Sequence, residues 1–275
     1  MTMLTMSDRY LYAARFKSYL GHFEEAEAIL TEALEHDPDN AVVLRNRGHR
    51  RITLRKYDEA LEDLTRASEV IHGTPDEHEF YQRDTEPDIV NIILDRMDDV
   101  REQHIPVNAD TIAATKGMYK STLHGSVWYH LGVVKYLKGA FDDFGRSQEL
   151  GVDDDSLIAT FDWRYMALRR LGRDDEAAKL LEALDTTTLE VADGEDFYLR
   201  RLKLYKGELT PEMVLDDLSR SLLALATQGY GVGNWFLYNG DEAAAHEIFE
   251  RVIEHGTPNA FGYMAAEAEL ARMGA

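Results

Sequence analysis

Five residues near the start of the chain recur at one fixed offset. Gly21, Phe23, Ala26, Leu30 and Ala33 are answered, each 34 positions later, by Arg55, Tyr57, Ala60, Leu64 and Ala67. A period of that length accommodates two short antiparallel helices. Such a pair cannot bury its apolar stripes alone and has to stack on the next pair. The same punctuation returns down the chain in six stretches: YLGHFEEAEAIL, TLRKYDEALEDL, YLKGAFDDFGRS, RLGRDDEAAKLL, YKGELTPEMVLD and YNGDEAAAHEIF. Most carry a small or basic turn, acidic residues and then a new amphipathic run, which reads as the turn of a helical hairpin.

The first repeat spans 7–40 and the second 41–74. Asp37-Pro38 closes the first, because proline cannot continue a helix. Small residues such as Gly48 and Ala60 let helix axes approach closely. Residues 75–124 leave the period and read as a helical insertion or a degenerate repeat. Within them Pro87 marks a first helical position, and Ile89, Ile92, Ile93, Met97 and Val100 fall on one helical face. Leaving that face in water would cost about 1.5–3 kcal/mol per side chain. The expected cover is the end of the second repeat and the start of the third. The flanking loops, around Phe80-Tyr81 and Met118-Tyr119, would then be free to lean over a groove, and residues 76–84 would be dispensable for stability.

Repeats three to six occupy 125–258. Trp128, Leu131, Gly132, Gly139 and Phe141 mark the third, and Phe161, Leu171, Gly172, Ala177, Leu181 and Leu184 the fourth. Asp153-Asp154-Asp155-Ser156 before the fourth reads as helix capping. Leu199, Leu202, Tyr205 and Gly207 outline the fifth, and Gly233, Gly240, Ala245 and Phe249 the sixth. Residues 259–275 supply a capping helix with Glu267, Glu269 and Arg272 on its outer face. This arrangement resembles the tetratricopeptide repeat, whose 34-residue unit carries an aromatic, a small residue, a turn glycine, an alanine and a late proline at these offsets. It also resembles an uncharacterised bacterial group of such proteins. The resemblance implies an all-α fold, a right-handed α-α superhelix in which about six hairpins and a cap form a single solenoid over 1–275.

Composition narrows the partners. Thirty Lys and Arg against 51 Asp and Glu leave a net charge of −21, which repels phosphate backbones and anionic membranes, so neither nucleic acid nor membrane is expected. The absence of cysteine removes disulfides, thiolate metal sites and cysteine nucleophiles. No basic and apolar leader opens the chain and no run of 18 apolar residues occurs, so a cytoplasmic protein is the expectation.

Against that acidity, the first helix of each hairpin gathers Tyr and Arg, the residue types enriched where proteins bind partners. The candidate partner-binding residues are Tyr12, Arg15 and Tyr19 in the first repeat, and Arg45, Asn46 and His49 in the second. Tyr129, His130 and Tyr136 follow in the third, Trp163 and Arg169 in the fourth, Tyr198 and Arg201 in the fifth, and Asn234 and Tyr238 in the sixth. The competing account makes many of the tyrosines helix-packing residues with solvated hydroxyls. In the basic stretch 45–51 only Arg45 and His49 share the inward edge, while Arg47, Arg50 and Arg51 are expected to pair with acidic neighbours. Tetratricopeptide members that clamp a terminal carboxylate use Lys and Asn at inner positions held here by Leu11, Arg15, Asn46, Ser126 and His130, of which only Asn46 matches.

Catalytic patterns are missing. His246-Glu247 lacks the second histidine of a zinc-hydrolase helix, and the glycines of 229–233 follow no predicted strand, so they read as close helix approach. His72, Asp76, His78 and Glu79 are too loosely spaced to argue for a metal. The expectation is a noncatalytic interaction scaffold holding an extended peptide or partner segment in a concave groove, with no cofactor and no metal. The alternative is a small-molecule binder taking a sugar or an anionic metabolite.

Overall fold

The helices start where the period puts them. In the computed structural model, which describes residues 4–118, 120–141, 144–151, 154–189, 191, 196–216 and 221–274, α1 (Met6–Tyr19) and α2 (Phe23–His36) form the first hairpin. The second is α3 (Ala41–Thr53) and α4 (Tyr57–Val70), so the second helices of the two hairpins begin 34 residues apart. The repeated positions are the tightest part of the core: Ala26, Ala60, Leu64 and Ala67 have no exposed surface, and Leu30 and Ala33 almost none. Alanine at these points lets neighbouring helices close up, and Gly48 takes this further, since a Cβ there would sit 2.7 Å from Leu64 Cγ.

The hairpin turn explains the punctuation. Gly21 has φ of 79°, and Gly139, Gly172, Gly207 and Gly240 repeat that left-handed conformation at the ends of later first helices. Arg55 takes the same position in the second hairpin with φ of 61° despite its side chain.

The chain divides into two compact units. Unit 1 comprises 1–134 with 149–153, and unit 2 comprises 135–148 with 154–275. The order continues through β1 (His78–Phe80), α5 (Gln82–Ile93), a 3-10 turn at Met97–Asp99, α6 (Ala109–Ala114), β2 (Lys120–Thr122) and α7 (Leu123–Leu137). Then come α8 (Phe144–Glu149), α9 (Asp154–Arg170), α10 (Asp174–Glu182), α11 (Phe197–Tyr205), α12 (Pro211–Leu215), α13 (Leu222–Tyr238), α14 (Glu242–His255) and α15 (Phe261–Met273). Among the described residues the fold is all-α, with fifteen α-helices of which the first four form two hairpins set 34 residues apart. Among the described residues its only strands are the two three-residue pieces β1 and β2. No helix among them is long and apolar enough to cross a membrane. Asp153 and Tyr119, named above for a cap and a loop, lie outside the described residues.

In unit 1 the insertion departs from expectation. Its helix begins at Gln82, five residues before Pro87, which sits inside α5. The helix packs on α1 rather than continuing the stack. Ile89 and Val100, with Ile92 and Met97 beside them, join Leu4, Tyr12 and Tyr19, whereas Ile93 is exposed. The reason is β1, which pairs antiparallel with β2 directly before α7 (His78 opposite Thr122, Glu79 opposite Ser121) and turns the insertion back over the first repeats. His78, Glu79 and Phe80 are buried, so the middle of 76–84 belongs to the core, while Tyr81, Gln82 and Arg83 are exposed.

Unit 2 is built on α13. It packs against α9, α11, α12, α14 and α15. The glycines of 229–233 are there for packing: a Cβ on Gly229 would meet Val252 at 2.6 Å, and one on Gly233 would meet Phe249 at 2.5 Å. Glu269, expected on the outer face of α15, is instead 1% exposed and ion-paired to Arg170 at 2.7 Å.

Gly48→Ala should therefore lower stability by about 1–3 kcal/mol through overpacking against Leu64, read as a lower urea midpoint at unchanged slope. Deleting residues 76–84 should lower the melting temperature sharply, because it strips the cover from α1 and leaves Arg45 buried without Glu79.

Candidate functional site

In unit 1 the first helices α1, α3 and α7 bring a basic group together. Arg45 on α3 is 5% exposed and forms an ion pair with Glu79 of β1, itself 5% exposed. Its Nη1 also donates to Asn46 Oδ1 at 3.4 Å, while its Nε is buried without a hydrogen-bond partner. Arg15 on α1 is partly exposed and makes no ion pair among the described residues; desolvation lowers its pKa, Glu79 opposes that, and the Arg45 charge adds to it. Arg50 behaves alike: desolvation and then Arg45 bring it down to about 10. Its guanidinium lies 5.4 Å from the Phe23 ring centre.

Two histidines complete the cluster. The His49 and His130 rings are 4.6 Å apart, and Tyr129 meets His130 edge-on at 5.4 Å. The His130 Nδ1–H donates to the Ser126 carbonyl at 2.7 Å. Desolvation, then the Arg45 charge, hold His130 at about 3, and desolvation with Arg50 and His130 pushes His49 well below its ordinary value. Both rings are neutral at pH 7.

The remaining candidates of the first repeat meet the insertion. The Tyr12 hydroxyl donates to Asp88 Oδ2 at 3.2 Å, and the Tyr19 hydroxyl lies 2.6 Å from Thr85 Oγ1. Asn46 donates to the Val42 carbonyl. A pocket of about 510 Å³ opens nearby, lined by Arg15, His78 and Glu79, by the apolar Leu11, Val42, Val43 and Ile71, and by the acidic Asp8, Asp37, Asp39 and Glu77.

Unit 2 uses its candidates differently. Tyr136, Trp163, Arg201 and Asn234 have no exposed surface, so they pack the unit and line no groove. Arg201 pairs with the equally buried Asp162 at 2.7 Å and donates to the Thr227 carbonyl at 3.0 Å. Burial pushes Asp162 up to about 7 against the pull of Arg201. The Tyr230 hydroxyl donates to the Tyr136 hydroxyl at 2.7 Å, and Asn234 Nδ2 donates to the same oxygen at 3.2 Å. Trp163 stacks between Phe144 and Tyr230. Arg169 lies over the Tyr238 ring at 4.3 Å, donates to the Tyr165 hydroxyl and pairs with Asp174. Tyr198 is partly exposed beside the Arg201 guanidinium.

The sequence reading misplaced Arg50 and overlooked Glu79 as a site residue. Arg47 and Arg51 do pair with Asp63, and Arg51 with Glu27. Arg50 has no such carboxylate and lies over the Phe23 ring. Glu79 faces Arg45, while His78 beside it meets Thr111 at 3.1 Å.

Neither a protein-family model nor a curated protein sequence matches the chain. Among solved structures, one similar to it is YrrB, described as a TPR protein with an unusual peptide-binding site. The similarity covers 95% of this chain and 90% of that one at 18% identity, with a TM-score of 0.41.

Neutral His49 and His130 make unit 1 acid-sensitive. Each binds a proton more readily unfolded than folded, so its contribution is complete above pH 6.5 and is lost as pH falls toward the depressed folded value. At about 1.4 kcal/mol per pH unit, His130 alone should remove about 2 kcal/mol by pH 5. His130→Gln should flatten the fall in urea midpoint between pH 7 and pH 5; an unchanged slope would show that the ring is charged in the fold.

Proposed function

We propose that this protein is a noncatalytic interaction module that receives an extended segment of a partner protein on the first-helix face of unit 1. One observation carries the reading. In a chain of net charge −21, Arg15 on α1 lines a pocket together with Glu79, and Glu79 pairs with Arg45 on α3 beside Asn46. Tyrosine offers rigid contact area, and arginine offers directed donors that a partner's acceptors can satisfy. Arg15, Asn46 and Tyr129 keep exposed surface for such contact, and Arg15 lines a pocket of about 510 Å³.

Position-specific photo-crosslinking tests this in the source cell. A benzophenone side chain in place of Tyr129, or of Asn46, should give adducts that map to one contiguous peptide segment of a partner. The same group at Thr65, exposed on the second helix α4, should give none. Equal adducts from both faces, or none from Tyr129 and Asn46, would overturn the reading.

A further inference from the structure

His104 stands at one end of a segment whose two ends are both left-handed. Asp95 has φ of 56° and His104 of 59°, a conformation unfavourable for a residue with a Cβ unless its surroundings hold it. The His104 side chain supplies that hold. Its Nε2 lies 3.1 Å from Asp8 Oδ1 in the first turn of α1, and its Nδ1 lies 3.0 Å from Glu77 Oε2, one residue before β1. Ionised carboxylates only accept hydrogen bonds, and a neutral imidazole donates through one nitrogen alone. Satisfying both contacts therefore requires the doubly protonated ring. Asp8 is fixed for its part, because its other oxygen accepts from the Thr5 backbone and hydroxyl.

We propose that His104 is a proton-operated clasp, which ties residues 95–104 to α1 and to the start of β1 while its ring is charged and frees them when the ring is neutral. The half-exposed ring gives up its proton directly to solvent, and one nitrogen is then a lone pair facing a carboxylate. That contact becomes repulsive, and the left-handed backbone loses its support. Gln103 and His104 both line the pocket of about 510 Å³, so release loosens one wall of it. The other charged or titratable groups of that pocket are Arg15 of α1, Asp37 and Asp39 after α2, and His78 and Glu79 of β1. On its own segment Arg101 and Glu102 precede the ring, and Arg101 is drawn away to Asp88 and the Phe80 ring. The carboxylates in contact decide the sign: desolvation disfavours the charged ring, but the Glu77 hydrogen bond and the Asp8 charge outweigh it and raise its pKa above 6.5. The clasp is therefore closed below pH 6.5 and opens as pH rises through the raised folded value, opposite in sense to His49 and His130.

The clasp does not depend on unit 1 receiving a partner, and magnetic resonance of the full chain tests it. Long-range proton–nitrogen spectra should show both His104 nitrogens protonated at pH 6. The ring should titrate with a midpoint above pH 6.5, which Glu77→Gln and Asp8→Asn should each lower. Amide exchange reads the release. The Val100 amide donates to the Met97 carbonyl at 3.3 Å, and the Arg101 amide to Asp88 Oδ1 at 3.0 Å. Their protection, corrected for the intrinsic pH dependence of exchange, should fall about tenfold from pH 6 to pH 8.5 while protection in α3 and α4 stays constant. His104→Asn, which tolerates the left-handed backbone but is too short to span two carboxylates, should show the low protection at both pH values. A midpoint at or below pH 6.5, or unchanged protection of Val100 and Arg101 after the ring has titrated, would overturn the proposal. So would a His104→Asn protein as protected at pH 6 as the wild type, or a parallel loss of protection in α3 and α4, which would mark opening of the whole unit.

Discussion

A hairpin of two 14-residue helices cannot cover its own apolar stripe, and each unit is an answer to that constraint. In unit 1 the answer is stacking through small residues. Ala26, Ala33, Ala60 and Ala67 bring helix axes together, and Gly48 admits the Leu64 side chain. Every such contact is repeated because the hairpin turn is repeated, and the turn depends on one residue in the left-handed region. Glycine supplies it five times among first-helix ends, while Arg55 supplies it once with a Cβ to accommodate.

Stacking leaves the first-helix face open, and unit 1 closes part of that face with its own chain. The β1–β2 pairing fixes where the insertion turns back. From there Glu79 reaches Arg45, Thr85 reaches Tyr19 and Asp88 reaches Tyr12, so three residues that look like partner contacts have partners within the chain. His104 extends the same tie to the first turn of α1, lying 3.1 Å from Asp8 and 3.0 Å from Glu77. The insertion covers only part of that face, and Arg15, Asn46 and Tyr129 keep exposed surface.

Unit 2 takes the same residue types into its interior. Arg201 with Asp162 and Glu269 with Arg170 connect α9 to α11 and α15, and Tyr136 with Tyr230 and Asn234 connects the end of α7 to α13. Buried charges of this kind contribute little net stability, because desolvation offsets their attraction, but removing one partner strands the other. The aromatic rings around Trp163 supply the packing that excludes water from these pairs.

The 34-residue register, the turn glycines and the alanine contacts were all legible in the sequence, because they are local: each depends on residues within one hairpin and its neighbour. The acidic background was legible too, since charge is a sum over the chain. Tertiary structure alone decided which Tyr and Arg are surface and which are core. Arg169 and Arg201 occupy first helices of successive repeats and read alike, yet one stays partly exposed and the other is sealed by Asp162 and Met166. The three-residue strands were equally invisible, for β1 has no alternating pattern of its own and exists because Lys120–Thr122 lies beside it. Glu79 meets Arg45 for the same reason: the two lie 34 residues apart in sequence, and only the β1–β2 pairing brings them together.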